Sequence, residues 1–131
     1  MKYLLLSSRI LYSAIFLLAA PGHFNAGTIG FAASKGVPMA QVLVPLSGIF
    51  MIGGALSVAL GYKIKIGALL LVLFLVPTTF LLHNFWTISD PIARQMDMAS
   101  FMKNISLIGA ALMIMYFGAG PLSLDKRLAK A

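Results

Sequence analysis

The chain has no cysteine among its 131 residues, which removes disulfides, thiolate metal sites and thiol relay chemistry from its own repertoire. Any redox role would need a bound cofactor or a partner. Acids are nearly as scarce, with three carboxylates against ten lysines and arginines, and there are two histidines. Without glutamate, cysteine or a third histidine, a two-histidine metal or haem site lacks the donors to complete its coordination sphere, so no metal or haem is expected. Charged residues make up only 10% of the chain, whereas soluble domains carry roughly 25%. A water-soluble globule is thereby excluded. The net charge of +7 and pI of about 10.1 could suggest nucleic acid, but no basic stretch is interleaved with aromatics on a polar face, and nucleic acid is not an expected partner.

What the chain has in quantity is hydrocarbon: 60% hydrophobic residues and a mean hydropathy of +0.97. Four apolar runs stand out, at about 3–20, 42–61, 66–82 and 101–117. A helix rises 1.5 Å per residue, so roughly 17–25 residues cross a ~30 Å hydrocarbon core. In lipid every backbone polar group must be paired internally, and helices achieve this for runs of such length. The sequence predicts an all-α, transmembrane four-helix bundle forming a single domain over 1–131, with the lipid bilayer as its surroundings. Pro77 in the third run predicts a kink. The first run also has signal-peptide features, but Pro21 directly after Ala20 suits cleavage poorly and Arg9 interrupts the apolar core, so a retained helix is expected.

The connections differ in size. "YKIK" reads as a tight turn between antiparallel neighbours, and Thr28 to Lys35 as a short amphipathic helix between the first and second spans, stopped by Gly36 and Pro38. With four spans both termini share a side. Lys2, Arg9, Lys63, Lys65, Lys126, Arg127 and Lys130 fall there, and only Lys35, Arg94 and Lys103 on the other. The positive-inside rule therefore puts the N- and C-termini in the cytoplasm, in a bacterial-type inner membrane.

The polar chemistry then gathers at the outer end, around "LLHNFWTISD". His83 follows Thr79 by one helical turn, Lys103 and Asn104 open the fourth span, and His23 closes the first. Trp86 and Phe85 sit where amphipathic aromatics prefer the interface. Two readings of this cluster stay open: mutual hydrogen bonding that ties the helix ends together, or a site for a small polar or quinone-like headgroup built from His83, Asn84, Lys103, Asn104, His23 and Trp86. Asp90 and Asp97 can supply negative charge near Lys103 or Arg94. On the inner side Arg9 either snorkels to the headgroups or pairs with Asp125, the only acid there. Gly53, Ser57 and Gly61 form a small-residue row that lets another backbone approach.

Arg9 early in the first helix, "SKGVP", "GGALSVALGYK", "FLLHNFW", "FMKN" and "GAGPLSLD", in this order along nearly the whole chain, resemble the DoxX family of membrane proteins. The resemblance implies a four-helix bundle and association with membrane oxidoreductase systems, including quinone-linked complexes. It supplies no catalytic residue. Two positions depart from that pattern: Met51 stands where several relatives have glutamate, and Ile64–Lys65 where a Thr-Arg pair is common. The expectation is an accessory subunit of a membrane redox system, not catalytic by itself, contacting quinone at the outer cluster and partnered by oxidoreductase subunits or a second copy. A binding or transport protein for a small solute or lipid, and a purely structural membrane protein, are the alternatives.

Overall fold

The structure, a computed structural model, describes residues 1–130. Its order is α1 (Lys2–Ala19), a 3-10 segment (Ala20–Phe24), α2 (Ala26–Ser34), α3 (Ala40–Leu60), α4 (Ile64–Leu82), a second 3-10 segment (Phe85–Thr87), α5 (Pro91–Phe117) and α6 (Leu124–Leu128). Four of these, α1 and α4 with their 3-10 extensions together with α3 and α5, are long and apolar enough to cross a membrane. The all-α transmembrane bundle is as the hydropathy predicts, with α2 as the short helix between the first two spans.

Local chemistry sets the ends. Asn25 caps α2, its Oδ1 accepting the Gly27 N–H at 2.7 Å, and Gly36, at φ +85°, ends the segment in the left-handed region that glycine enters without cost. The turn from α3 to α4 is as tight as "YKIK" suggests. Gly61 (φ +65°) and Lys63 (φ +45°) reverse the chain, and Ser57 Oγ closes the turn by donating to the Tyr62 carbonyl at 2.5 Å.

The fourth span begins ten residues earlier than hydropathy predicts. Asp90 is its N-cap, Oδ1 accepting the Ala93 N–H at 2.8 Å, and Pro91 occupies the first turn, where its missing N–H costs nothing. The stretch between the third and fourth apolar runs, 83–100, is thus mostly helix. Pro77 lies within α4, and hydrogen bonding continues beyond it: Thr79 Oγ1 donates to the Leu75 carbonyl at 2.6 Å, and the His83 N–H reaches the Thr79 carbonyl.

Helices α3 and α4 pack on each other at the centre, with α1 against α3 and α5 against α4. The core contains Phe16, Met51, Ala55, Val58, Leu71, Leu75 and Ala111, and Met51 is 2% exposed. Tyr12 ties α1 to α5, its hydroxyl donating to the Leu107 carbonyl at 3.0 Å. Lipid tails are as apolar as leucine, so close packing rather than water exclusion joins the spans. The two helices approach closely at Gly54 and Gly67: a Cβ on Gly54 would stand 2.8 Å from the Gly67 carbonyl oxygen. The expected small-residue row holds at Ser57 and Gly61, but Gly54 takes the place of Gly53. Gly53 faces open space, while Gly54, Ser57 and Gly61 face neighbours.

Candidate functional site

At the end of the bundle away from the two termini the predicted residues divide into separate groups. His83, the residue after α4, pairs with Asp97 of α5, Nδ1 to Oδ1 at 2.9 Å. The second oxygen of Asp97, Oδ2, is buried without a hydrogen-bond partner. Asn84 Oδ1 accepts from Lys35 Nζ at 3.2 Å, joining the end of α2 to the turn after α4. Trp86 is half exposed and meets Phe85 and Phe101 edge-on, with ring centroids 5.3 and 6.0 Å apart. Asn104 is buried, but Lys103 is exposed. Asp90 serves the helix cap rather than a lysine.

His23 has different company. Its Nδ1 lies 2.8 Å from Ser47 Oγ of α3, and its ring stands edge-on to Phe74 of α4 with centroids 5.5 Å apart. Ser47 Oγ donates to the Val44 carbonyl at 2.6 Å. When the single hydroxyl proton of Ser47 goes to the Val44 carbonyl, Nδ1 of His23 is the donor to Ser47 Oγ, and in that tautomer Nε2 is an acceptor. The 3-10 segment carrying His23 reaches α3 because Gly48 has no side chain: a Cβ there would stand 2.9 Å from His23 Cβ.

His23 and Ser47 line a cavity of about 300 Å³ bounded by α2, α3 and α4. Its other walls are Phe31, Val44, Phe50, Phe74, Pro77 and Leu82. Leu43, Leu46, Leu73 and Leu81, which also line it, are exposed on the outside of the bundle, where the surroundings are hydrocarbon. The volume lies at the lower end of the ~300–1,000 Å³ of small-molecule sites, and an apolar cavity with few polar groups is their usual character. Ser47 is the residue the sequence reading missed. It is one hydroxyl inside an apolar run, and nothing in its neighbours marks it as a partner of a histidine 24 positions earlier.

At the end that holds both termini the expected ion pair gives way to backbone contacts. Arg9 is 4% exposed, so it does not snorkel; its Nη2 donates to the Leu122 carbonyl at 2.7 Å. Both oxygens of Asp125 accept backbone N–H groups at the start of α4, from Lys63 at 2.8 Å and Ile64 at 3.3 Å. Among the described residues the His83–Asp97 contact is the one side-chain ion pair. The reason is positional: Asp125 caps α4, while the Arg9 guanidinium packs on the opposite feature of the same turn, the face of Gly61 that lacks a Cβ.

Four apolar spans, polar side chains bonded between helix ends and a cavity flanked by membrane-exposed leucines define an integral, multi-pass membrane protein. The family model described as the SURF4 family matches residues 1–130, and the chain belongs to that family. This corrects the DoxX resemblance: the motifs that suggested it lie within a chain matched along nearly its whole length by the SURF4 model. Among curated relatives, the chain is 29% identical to Inner membrane protein YphA of Escherichia coli K12, over 95% of this chain and 89% of that protein. It is 31% identical to Inner membrane protein YqjF of the same organism, over 95% of this chain and 92% of that protein. It is 34% identical to the ER-derived vesicles protein ERV29 of Saccharomyces cerevisiae, over 56% of this chain and 24% of that protein. No solved structure matches the chain.

Proposed function

We propose that the protein is an inner-membrane binding protein for a small, mostly apolar molecule bearing one hydroxyl or amide donor, taken from the bilayer into the cavity between α2, α3 and α4. The observation that carries this reading is the His23–Ser47 pair in the wall of a mostly apolar cavity, which Thr28 and Thr78 also line. With Nδ1 of the half-buried His23 engaged by Ser47, Nε2 is the ring atom left to accept from a ligand's donor. Lateral entry past Leu43 and Leu81 fits a ligand dissolved in lipid. The names of the two Escherichia coli relatives support the inner membrane, and the excess of Lys and Arg at the end with both termini supports a cytoplasmic N- and C-terminus. The redox association came with the DoxX resemblance and goes with it. His83 and Asn84, each already bonded across helices, serve in this reading to hold the outer end together.

The test is mass spectrometry of small molecules extracted from purified protein, compared with Ser47→Ala and His23→Phe. The first variant leaves the cavity in place but frees the imidazole, and the second fills the cavity and removes the acceptor. A molecule present with the natural sequence and lost from His23→Phe, at an unchanged melting temperature, supports the proposal. The same lipid profile in all three proteins overturns it.

A further inference from the structure

We infer that the inner end of the bundle carries a binding site for an anionic phospholipid, in a groove between α1, the end of α3 and the C-terminal segment. The site is separate from the cavity lined by His23. It starts from an uncompensated charge. Arg9 is buried, Nε and Nη1 of its guanidinium have no hydrogen-bond partner, and no carboxylate lies within ion-pairing distance of it among the described residues. Asp125, the one acid nearby in the fold, is committed to the backbone of Lys63 and Ile64. A cation held in a low-dielectric interior projects its potential further than one in water.

A groove adjoins the segment that Arg9 holds, lined by neighbours of Arg9 and of its contacts and not by Arg9 itself. Ile10, next to Arg9, Leu60, next to Gly61, and Leu122, whose carbonyl Arg9 holds, form its apolar wall; Lys126, Arg127 and Lys130 form its polar rim. Its volume is about 800 Å³, and no acid lines it. Ile10, Leu60 and Leu122 are about half exposed, so the apolar wall is continuous with the lipid-facing surface of α1 and α3. A basic rim beside an apolar wall, at the end of two spans, matches a phosphate attached to acyl chains rather than a soluble anion. Leu122, whose carbonyl Arg9 holds, lies at φ +55°, a left-handed conformation that costs a non-glycine residue about 1–2 kcal/mol.

The experiment follows the melting of the full-length protein in neutral detergent by Trp86 fluorescence, titrated with dioctanoyl phosphatidylglycerol, dioctanoyl phosphatidylcholine or inorganic phosphate. Phosphatidylglycerol should raise the midpoint, and the other two should leave it near its starting value. In the triple variant Lys126→Gln, Arg127→Gln, Lys130→Gln, the apparent affinity for phosphatidylglycerol should fall on the order of 10-fold or more. The variant Lys2→Gln, Lys63→Gln, Lys65→Gln removes the same charge from the same end outside the groove and should bind as the natural protein does. Equal stabilisation by phosphatidylcholine overturns the site, and so does an equal loss in the control variant, which would mean diffuse surface charge. Stabilisation by inorganic phosphate alone overturns the lipid in favour of a soluble anion. If the triple variant does not purify, Arg127→Gln decides: weaker binding sustains the site and unchanged binding overturns it.

Discussion

Gly54 and Gly67 face each other across α3 and α4 so closely that a Cβ on Gly54 would stand 2.8 Å from the Gly67 carbonyl oxygen, and one on Gly67 would stand 3.0 Å from the Gly54 carbonyl oxygen and collide with Ser57. Between two spans in lipid this approach is itself the adhesive, since each extra ångström of separation forfeits dispersion contacts along the whole seam. The tight turn below it, with Gly61 in the left-handed region, keeps the two helices in the register that the contact requires.

Gly54→Ala should therefore lower stability by roughly 1–3 kcal/mol through overpacking, whereas Gly53→Ala, one residue away and facing open space, should be neutral or raise it by up to about 1 kcal/mol through helix propensity. Melting midpoints of the two variants in the same detergent check the contrast. Equal effects would mean that the seam does not run through Gly54.

The His83–Asp97 pair should behave as a coupled unit. His83→Ala leaves Asp97 with neither oxygen bonded, because Oδ2 already lacks a partner, and the cost should be roughly 1–3 kcal/mol. The double variant with Asp97→Ala should recover part of that loss by removing the stranded carboxylate. A double-mutant cycle on melting midpoints measures the coupling, and strictly additive losses would deny it.

Gly61→Ala should be among the most damaging single changes in the turn. It places a Cβ in the left-handed region and into the space that the Arg9 guanidinium occupies, for a backbone cost of about 1–2 kcal/mol before the arginine is displaced. Hydrogen exchange in residues 119–124 should quicken, because displacing Arg9 releases the Leu122 carbonyl. Exchange confined to α3 and α4 would show that Arg9 does not hold this segment.

Topology is checked independently of stability. Alkaline phosphatase fused after Ala131 or inserted within "YKIK" should be inactive in intact bacterial cells, and an insertion beside Asp90 should be active. The reverse pattern would invert the orientation that the basic residues imply.

The number and approximate place of the spans were legible in the sequence, though not the length of the fourth, because a hydrocarbon core admits only long apolar helices and tolerates few charges within them. Turn chemistry was legible for the same local kind of reason: Gly36 and the "YKIK" turn are where they were expected, and Asp90–Pro91 was a readable helix start that hydropathy obscured. The rotation of each helix about its axis was not legible. A span apolar on every side has no amphipathic face to turn inward, and lipid accepts the same side chains as the core does. One residue of error is about 100° of rotation, which separates Gly53, facing open space, from Gly54, packed on α4. Rotation and tilt also decided that His23 meets Ser47, that His83 meets Asp97, and that Arg9 bonds to Leu122 and not to Asp125. Those partners are far apart or unpatterned in sequence, and only the packing of backbone against backbone brings them together.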